Sequence, residues 1–91
     1  MNTISIYELK KITNPIIIDI RDNYSYNISH IKSAINIPYY NLLNNYSHYL
    51  NKNDTYYLYC EEGRQSFEIS KRLNSFGYNT KSIEGGFISF K

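Results

Sequence analysis

Alternating strand-like and helix-like segments predict an α/β fold, a small, mostly parallel sheet of about five strands with helices on both faces. Two stretches carry this expectation. Ile16 to Ile20 is an apolar run interrupted only by Asp19, the pattern of a strand covered on both sides. Thr55 to Phe76 opens with five β-favouring residues, passes a polar turn centred on Gly63, and changes to a helical period with Ile69, Leu73 and Phe76 on one face. The 91 residues correspond to one small domain, 1–91, with no internal repeat or linker.

The remaining elements follow in order. Thr3 and Ile4 form a brief first strand, and the capping-box spacing of Ser5 and Glu8 starts a helix over Ile6 to Ile12 that Asn14-Pro15 stops. Asp22 to Ile31 reads as a turn of helix and a loop, and Ile35 to Ile37 as a short strand ended by Pro38. Asn41 to Leu50 has the period of a helix with Leu42, Leu43, Tyr46 and Leu50 inward, before a polar turn at Asn51 to Asp54. After the strand Thr55 to Tyr59, a helix starts near Ser66 and ends at Gly77, a natural residue for the left-handed position past a helix. Tyr78 to Ile83 is the last strand, Gly85-Gly86 a turn, and Phe87 to Phe90 a final short helix.

Composition excludes several function classes. The net charge is +2 with acids and bases interspersed, so neither a nucleic acid nor a membrane is implied as a partner. Eleven tyrosines without a tryptophan suggest a tyrosine-rich core rim. One cysteine cannot form an internal disulfide, and the amino-terminal residues have no signal-like apolar run, which suggests a cytoplasmic, reducing setting. His30 and His48 are isolated, and with one cysteine they make no ligand cluster; no metal or other cofactor is expected, and His30 reads as a hydrogen-bonded fold element.

Cys60 stands out. It falls at the carboxyl end of a strand just before a helix, where open α/β sheets place ligands and where the positive end of the helix dipole points. Cys60 to Gln65 must curl back, and Gly63 permits the backbone angles this needs. The inward amides would form a nest for a thiolate, a persulfide or a bound oxyanion. The alternative, a small buried hydrophobe closing a strand, fits less well with the charged Glu61, Glu62 and Arg64 that follow. Asp19 is costly in a buried strand unless paired, and Arg21 or loop amides are the obvious partners.

The string CEEGRQS resembles the active-site loop of rhodanese-type sulfurtransferases. IIIDIRDNYSYNISHIKSAINIP, Ile16 to Pro38, is similar to the first signature of that family, and GYNTKSIEGGF, Gly77 to Phe87, to its last. The chain departs from the pattern in three ways. Ser29 stands where glycine is usual before the histidine. The tryptophan after Gly-Gly is missing, with Phe90 its expected stand-in, and two acids directly follow the cysteine.

The resemblance implies a rhodanese-like fold and a sulfurtransferase in which Cys60 takes a sulfane sulfur as a persulfide and passes it to cyanide or a thiol. Glu61, Glu62, Gly63, Arg64, Gln65 and Ser66 would form the persulfide loop, with Arg64 the cation nearest the incoming donor and Asp19 and Arg21 in support. A second reading is a persulfide relay or sulfur-responsive module that works with a partner protein as donor or acceptor. A third, a cysteine-dependent phosphatase or arsenate reductase, needs a longer loop or an arginine six positions after the cysteine, where this chain has Ser66. Glu61 and Glu62 are expected to oppose a dianion such as thiosulfate and to favour a neutral, singly charged or protein-bound persulfide, unless both project into solvent and are screened.

Overall fold

The computed structural model of the protein describes residues 2–90. Five strands, β1 (Thr3–Ile4), β2 (Ile16–Asp19), β3 (Ile35–Asn36), β4 (Thr55–Tyr59) and β5 (Asn79–Ile83), form one sheet in the order β1-β5-β4-β2-β3. Every pairing is parallel. The helices are α1 (Ile6–Leu9), α2 (Asn23–Ile28), α3 (Tyr39–Asn44), α4 (Tyr46–Tyr49), α5 (Arg64–Ser75) and α6 (Gly86–Phe90).

The pleat divides the core into two layers. Ile18, Ile20, Tyr56, Leu58 and Cys60 point to the side covered by α3, α4 and α5, where they meet Leu42, Leu50, Ile69 and Leu73. Ile17, Tyr57 and Tyr59 point to the other side and meet Leu9, Ile31, Ala34 and Phe87. The chain leaves β2 towards β3 on one side and leaves β4 towards β5 on the other, so the loops after β2 and β4 diverge. That divergence opens the crevice at the carboxyl ends of these neighbouring strands.

Local chemistry explains most element ends. Ser5 accepts from the Glu8 amide at 3.0 Å, and the Glu8 carboxylate accepts from the Ser5 amide at 3.0 Å, closing the capping box. The α1 segment is shorter than predicted, because past Leu9 the bonds Lys11 to Glu8 and Ile12 to Leu9 are tight turns leading to Asn14, at φ +50°. Asp22 caps α2 by accepting from the Ser25 amide at 2.7 Å. The helix predicted over Asn41 to Leu50 starts earlier, after Pro38, and breaks at Asn45, whose φ of −137° leaves the helical region. Gly77, at φ +97°, follows α5 in a Schellman turn, with the Tyr78 amide donating to Leu73 and the Gly77 amide to Asn74. Phe76 is not on the buried face as expected; it is 42% exposed at the helix end and stacks on Tyr46.

Tyrosine reaches deeper than a rim. Tyr59 is fully buried, and its hydroxyl accepts from the Ile31 amide at 3.0 Å. Burial, and then the hydrogen bond and charge of Asp19, push the Tyr59 phenol above its ordinary range.

The helix α6 closes over the end of β4. The Phe87 amide donates to the Cys60 carbonyl at 2.9 Å and the Ile88 amide to the Glu61 carbonyl at 3.1 Å. This approach requires Gly86, which has φ +63° and where a Cβ would meet the Glu61 and Cys60 carbonyl oxygens at 2.6 and 2.7 Å. Phe87, rather than Phe90, is the buried aromatic of this segment, because it directly follows the close approach at Gly86. Phe90 is only partly buried against the same layer.

Two outcomes follow from this packing. Tyr59→Phe strands the buried Ile31 amide and should lower unfolding free energy by about 1–3 kcal/mol, read from urea denaturation. Gly86→Ala adds positive-φ strain of about 1–3 kcal/mol and pushes on the Cys60 and Glu61 carbonyls of the loop after β4. It should lower stability and also change the rate at which iodoacetamide alkylates Cys60; a wild-type alkylation profile would show that α6 does not hold the loop.

Candidate active site

Cys60 follows the last residue of β4 and is 4% exposed. The chain then turns through Glu61 and Glu62 to Gly63, whose φ of +102° reverses its direction so that α5 begins at Arg64, earlier than the expected start near Ser66. A Cβ on Gly63 would also lie 3.2 Å from the Gly85 nitrogen. The curl is therefore shorter than the six residues expected.

The nest is correspondingly compact. Two amides reach the sulfur: Gly63 N–H donates to Cys60 Sγ at 3.1 Å and Ser66 N–H at 3.4 Å. Arg64 and Gln65 open α5, so their amides have no intrahelical acceptor, and both residues line the mouth over the thiol. That mouth, about 180 Å³, is lined by Cys60, Glu61, Glu62, Arg64 and Gln65.

A buried hydroxyl pair backs the nest. Ser66 Oγ is 3.5 Å from Cys60 Sγ and 2.6 Å from Ser82 Oγ of β5, and it donates to the Gly63 carbonyl at 3.2 Å in one rotor position. Both serines are fully buried. With Ser82 donating to Ser66, the Ser66 proton is free to turn towards a thiolate. Sequence reasoning assigned Ser66 only as a loop amide and missed Ser82, because a serine on a half-polar strand carries no local mark of its partner.

Asp19 and Arg21 form the floor on the opposite face of the sheet. Asp19 is fully buried and accepts from Arg21 Nε at 3.1 Å, Arg21 Nη2 at 2.8 Å and the Arg21 amide at 2.9 Å. Arg21 Nη2 also donates to the Ser29 carbonyl at 2.6 Å, and Nη1 to Glu61 Oε1 at 3.1 Å. Its guanidinium lies 4.2 Å above the Phe87 ring. Burial alone would lower the Arg21 pKa; its hydrogen bonds and charge contacts, with Asp19 foremost, reverse this and hold it above the ordinary value.

The two acids therefore differ. Glu61 is tied to Arg21, although half its side chain remains exposed, whereas Glu62 is exposed and makes no ion pair among the described residues. Arg64 and Gln65 are exposed at the start of α5. Ser29, at φ −167°, has extended backbone that any residue adopts, so the missing glycine costs nothing there. His30 Nδ1 donates to the Tyr26 carbonyl at 2.9 Å and its ring stacks on that of Tyr26, away from the thiol's partners. Among the described residues no group of three or more His, Cys, Asp or Glu side chains could hold a metal, and no helix is long and apolar enough to cross a membrane.

Known proteins share this fold. The rhodanese-like domain model matches residues 5–91. Thiosulfate sulfurtransferase PspE of Escherichia coli is 36% identical over 70 residues, covering 76% of this chain and 67% of that protein. A tRNA uridine(34) hydroxylase of Buchnera aphidicola is 29% identical over 85 residues, and the chain spans only 27% of its length. Among solved structures, SSP1007 of Staphylococcus saprophyticus superposes with a TM-score of 0.89 at 33% identity, covering 100% of this chain and 94% of that one. The human single-domain sulfurtransferase TSTD1 shares the fold, with a TM-score of 0.84 at 19% identity over 99% of this chain and 95% of that one. With its parallel five-stranded sheet and a cysteine loop at the end of the central strand, the chain belongs to the rhodanese-like domain family.

Proposed function

We propose that the protein is a sulfurtransferase that carries a sulfane sulfur on Cys60. The observation that carries this reading is the pair of amides, Gly63 and Ser66, directed at a sulfur that is otherwise buried. A thiol without a role would not need charge-seeking donors at contact distance. The likeness to a thiosulfate sulfurtransferase supports the same chemistry.

In the first half-reaction the Cys60 thiolate attacks the outer sulfur of thiosulfate. The S–S bond of the donor breaks, sulfite leaves with the electron pair, and a Cys60 persulfide remains. In the second, a thiolate or cyanide attacks the outer sulfur of that persulfide, and the Cys60 thiolate is the leaving group. The nest serves both halves, because it stabilises Cys60 sulfur as an anion before and after transfer. The first-turn amides of Arg64 and Gln65, residues that line the mouth, would receive the outer sulfur, and the Arg64 side chain would be the cation closest to the donor. Asp19 and Arg21 support the loop without touching the reacting atoms.

Mass spectrometry after brief incubation with thiosulfate, and separately with a low-molecular-weight persulfide, tests the reading. A mass gain of one sulfur atom on Cys60 is expected and should vanish on adding cyanide. Cys60→Ser should lose all sulfur gain while unfolding at the wild-type urea concentration; retained turnover would assign the chemistry elsewhere. Sulfur gain that occurs only with a partner protein would favour the relay module.

A further inference from the structure

Beside the thiol's mouth lies a larger cleft of about 590 Å³, built where the loops after β2, β3 and β4 converge. Its lining includes Asp22, Tyr39, Tyr40 and Asn41, and it shares Glu61 and Gln65 with the mouth over Cys60. A molecule in the cleft can therefore extend a short arm to the outer sulfur of a Cys60 persulfide.

We propose that this cleft receives the sulfur acceptor and that Asp22 and Glu61 make it select thiols bearing an ammonium group over thiols bearing a carboxylate. This rests on the sulfur-transfer function proposed above and specifies its acceptor class. Three carboxylates, Asp19, Asp22 and Glu61, stand around one guanidinium. Arg21 spends Nε and Nη2 on Asp19 and the Ser29 carbonyl, and Nη1 on Glu61. Among the described residues no other lysine or arginine lines the cleft. The Asp22 carboxyl is held below its usual range, foremost by the Ser25 amide, and so stays ionised at neutral pH.

The aromatic lining points to the same class. Tyr39 and Tyr40 meet edge to face at 5.1 Å, and Tyr40 is 69% exposed, which offers a ring face to a cation. A carboxylate acceptor would meet two acids, with Arg21 already committed and Arg64 at the thiol's mouth rather than in the cleft.

The transfer balances without another reactant. The acceptor thiolate bonds to the outer sulfur of Cys60–S–SH, the Cys60 S–S bond breaks, and the acceptor leaves as its persulfide. The Cys60 thiolate is regenerated in contact with the Gly63 and Ser66 amides.

The experiment starts from protein whose Cys60 persulfide has been verified by mass spectrometry. Its discharge is timed with cysteamine, 2-mercaptoethanol and 3-mercaptopropionate, three short thiols of different charge. Each rate is divided by the same thiol's rate with dithiodipyridine, an uncharged disulfide, which removes intrinsic differences in reactivity. The corrected rate should be about ten-fold higher for cysteamine than for 3-mercaptopropionate at low salt, with 2-mercaptoethanol between them, and the ratio should shrink as salt rises.

Asp22→Asn keeps a side chain able to cap α2 and should reduce the ratio, as should Glu61→Gln. If the latter loses stability in urea, Asp22→Asn carries the test alone. A wild-type ratio near unity, or one unchanged by Asp22→Asn, overturns the selectivity while the persulfide chemistry stands. Failure of Cys60 to load sulfur from any donor overturns both.

Discussion

One guanidinium, with its side chain only 8% exposed, joins the segments at the carboxyl edge of the sheet. Asp19 lies fully buried at the end of β2, and a carboxylate there without a partner would cost several kcal/mol. The partner is Arg21, two residues on, and the fork of its guanidinium reaches further than the ion pair. It takes the Ser29 carbonyl after α2, the Glu61 carboxylate after β4 and the ring of Phe87 in α6. Lysine, a point charge, could not hold four segments in fixed directions. The chain segments at the carboxyl edge of the sheet are thus arranged around a group needed first to neutralise Asp19.

The pleat separates this structural task from the reactive one. Tyr59 and Cys60 are adjacent, so they face opposite sides of the sheet. Tyr59 joins the layer of Phe87, close to Arg21, while Cys60 enters the layer of α5. The loop that starts at Cys60 is held by complementary bonds: α6 amides take the carbonyls of Cys60 and Glu61, and amides at and after Gly63 take the sulfur. With its carbonyls occupied from one side, the loop presents donors rather than acceptors to the thiol. That orientation gives the anion nest its direction.

Features encoded over a few residues were legible in the sequence. The capping box of Ser5 and Glu8, the Schellman glycine at Gly77, the turn at Gly63 and the position of Cys60 each depend on neighbours a turn or less away. Contacts made across the fold were not. Glu61 meets Arg21 over a separation of 40 residues, and Ser66 meets Ser82 over 16, with no periodicity to mark either pair. The break at Asn45 escaped the helical pattern because leucine spacing continues through it, while Tyr46 stacks on Phe76 and meets Tyr78 edge to face. Phe76 was assigned inward by period alone, yet the helix ends at Ser75 and its successor follows no helical face.

The acids after the cysteine illustrate how a contact changes the meaning of a residue. As a sequence, Glu61-Glu62 is a doubled negative charge set against an anionic substrate. In the fold, Glu61 completes the shell of Arg21, and only Glu62 stands without an ion pair among the described residues. The two kinds of force then act over different distances. Amides at 3.1 and 3.4 Å act by direct contact on the sulfur, whereas exposed carboxylates act through water and are weakened by salt. An anionic sulfur on Cys60 is therefore compatible with an acidic surround: in the function proposed above, the nest acts on the reacting atom and the acids on what approaches it.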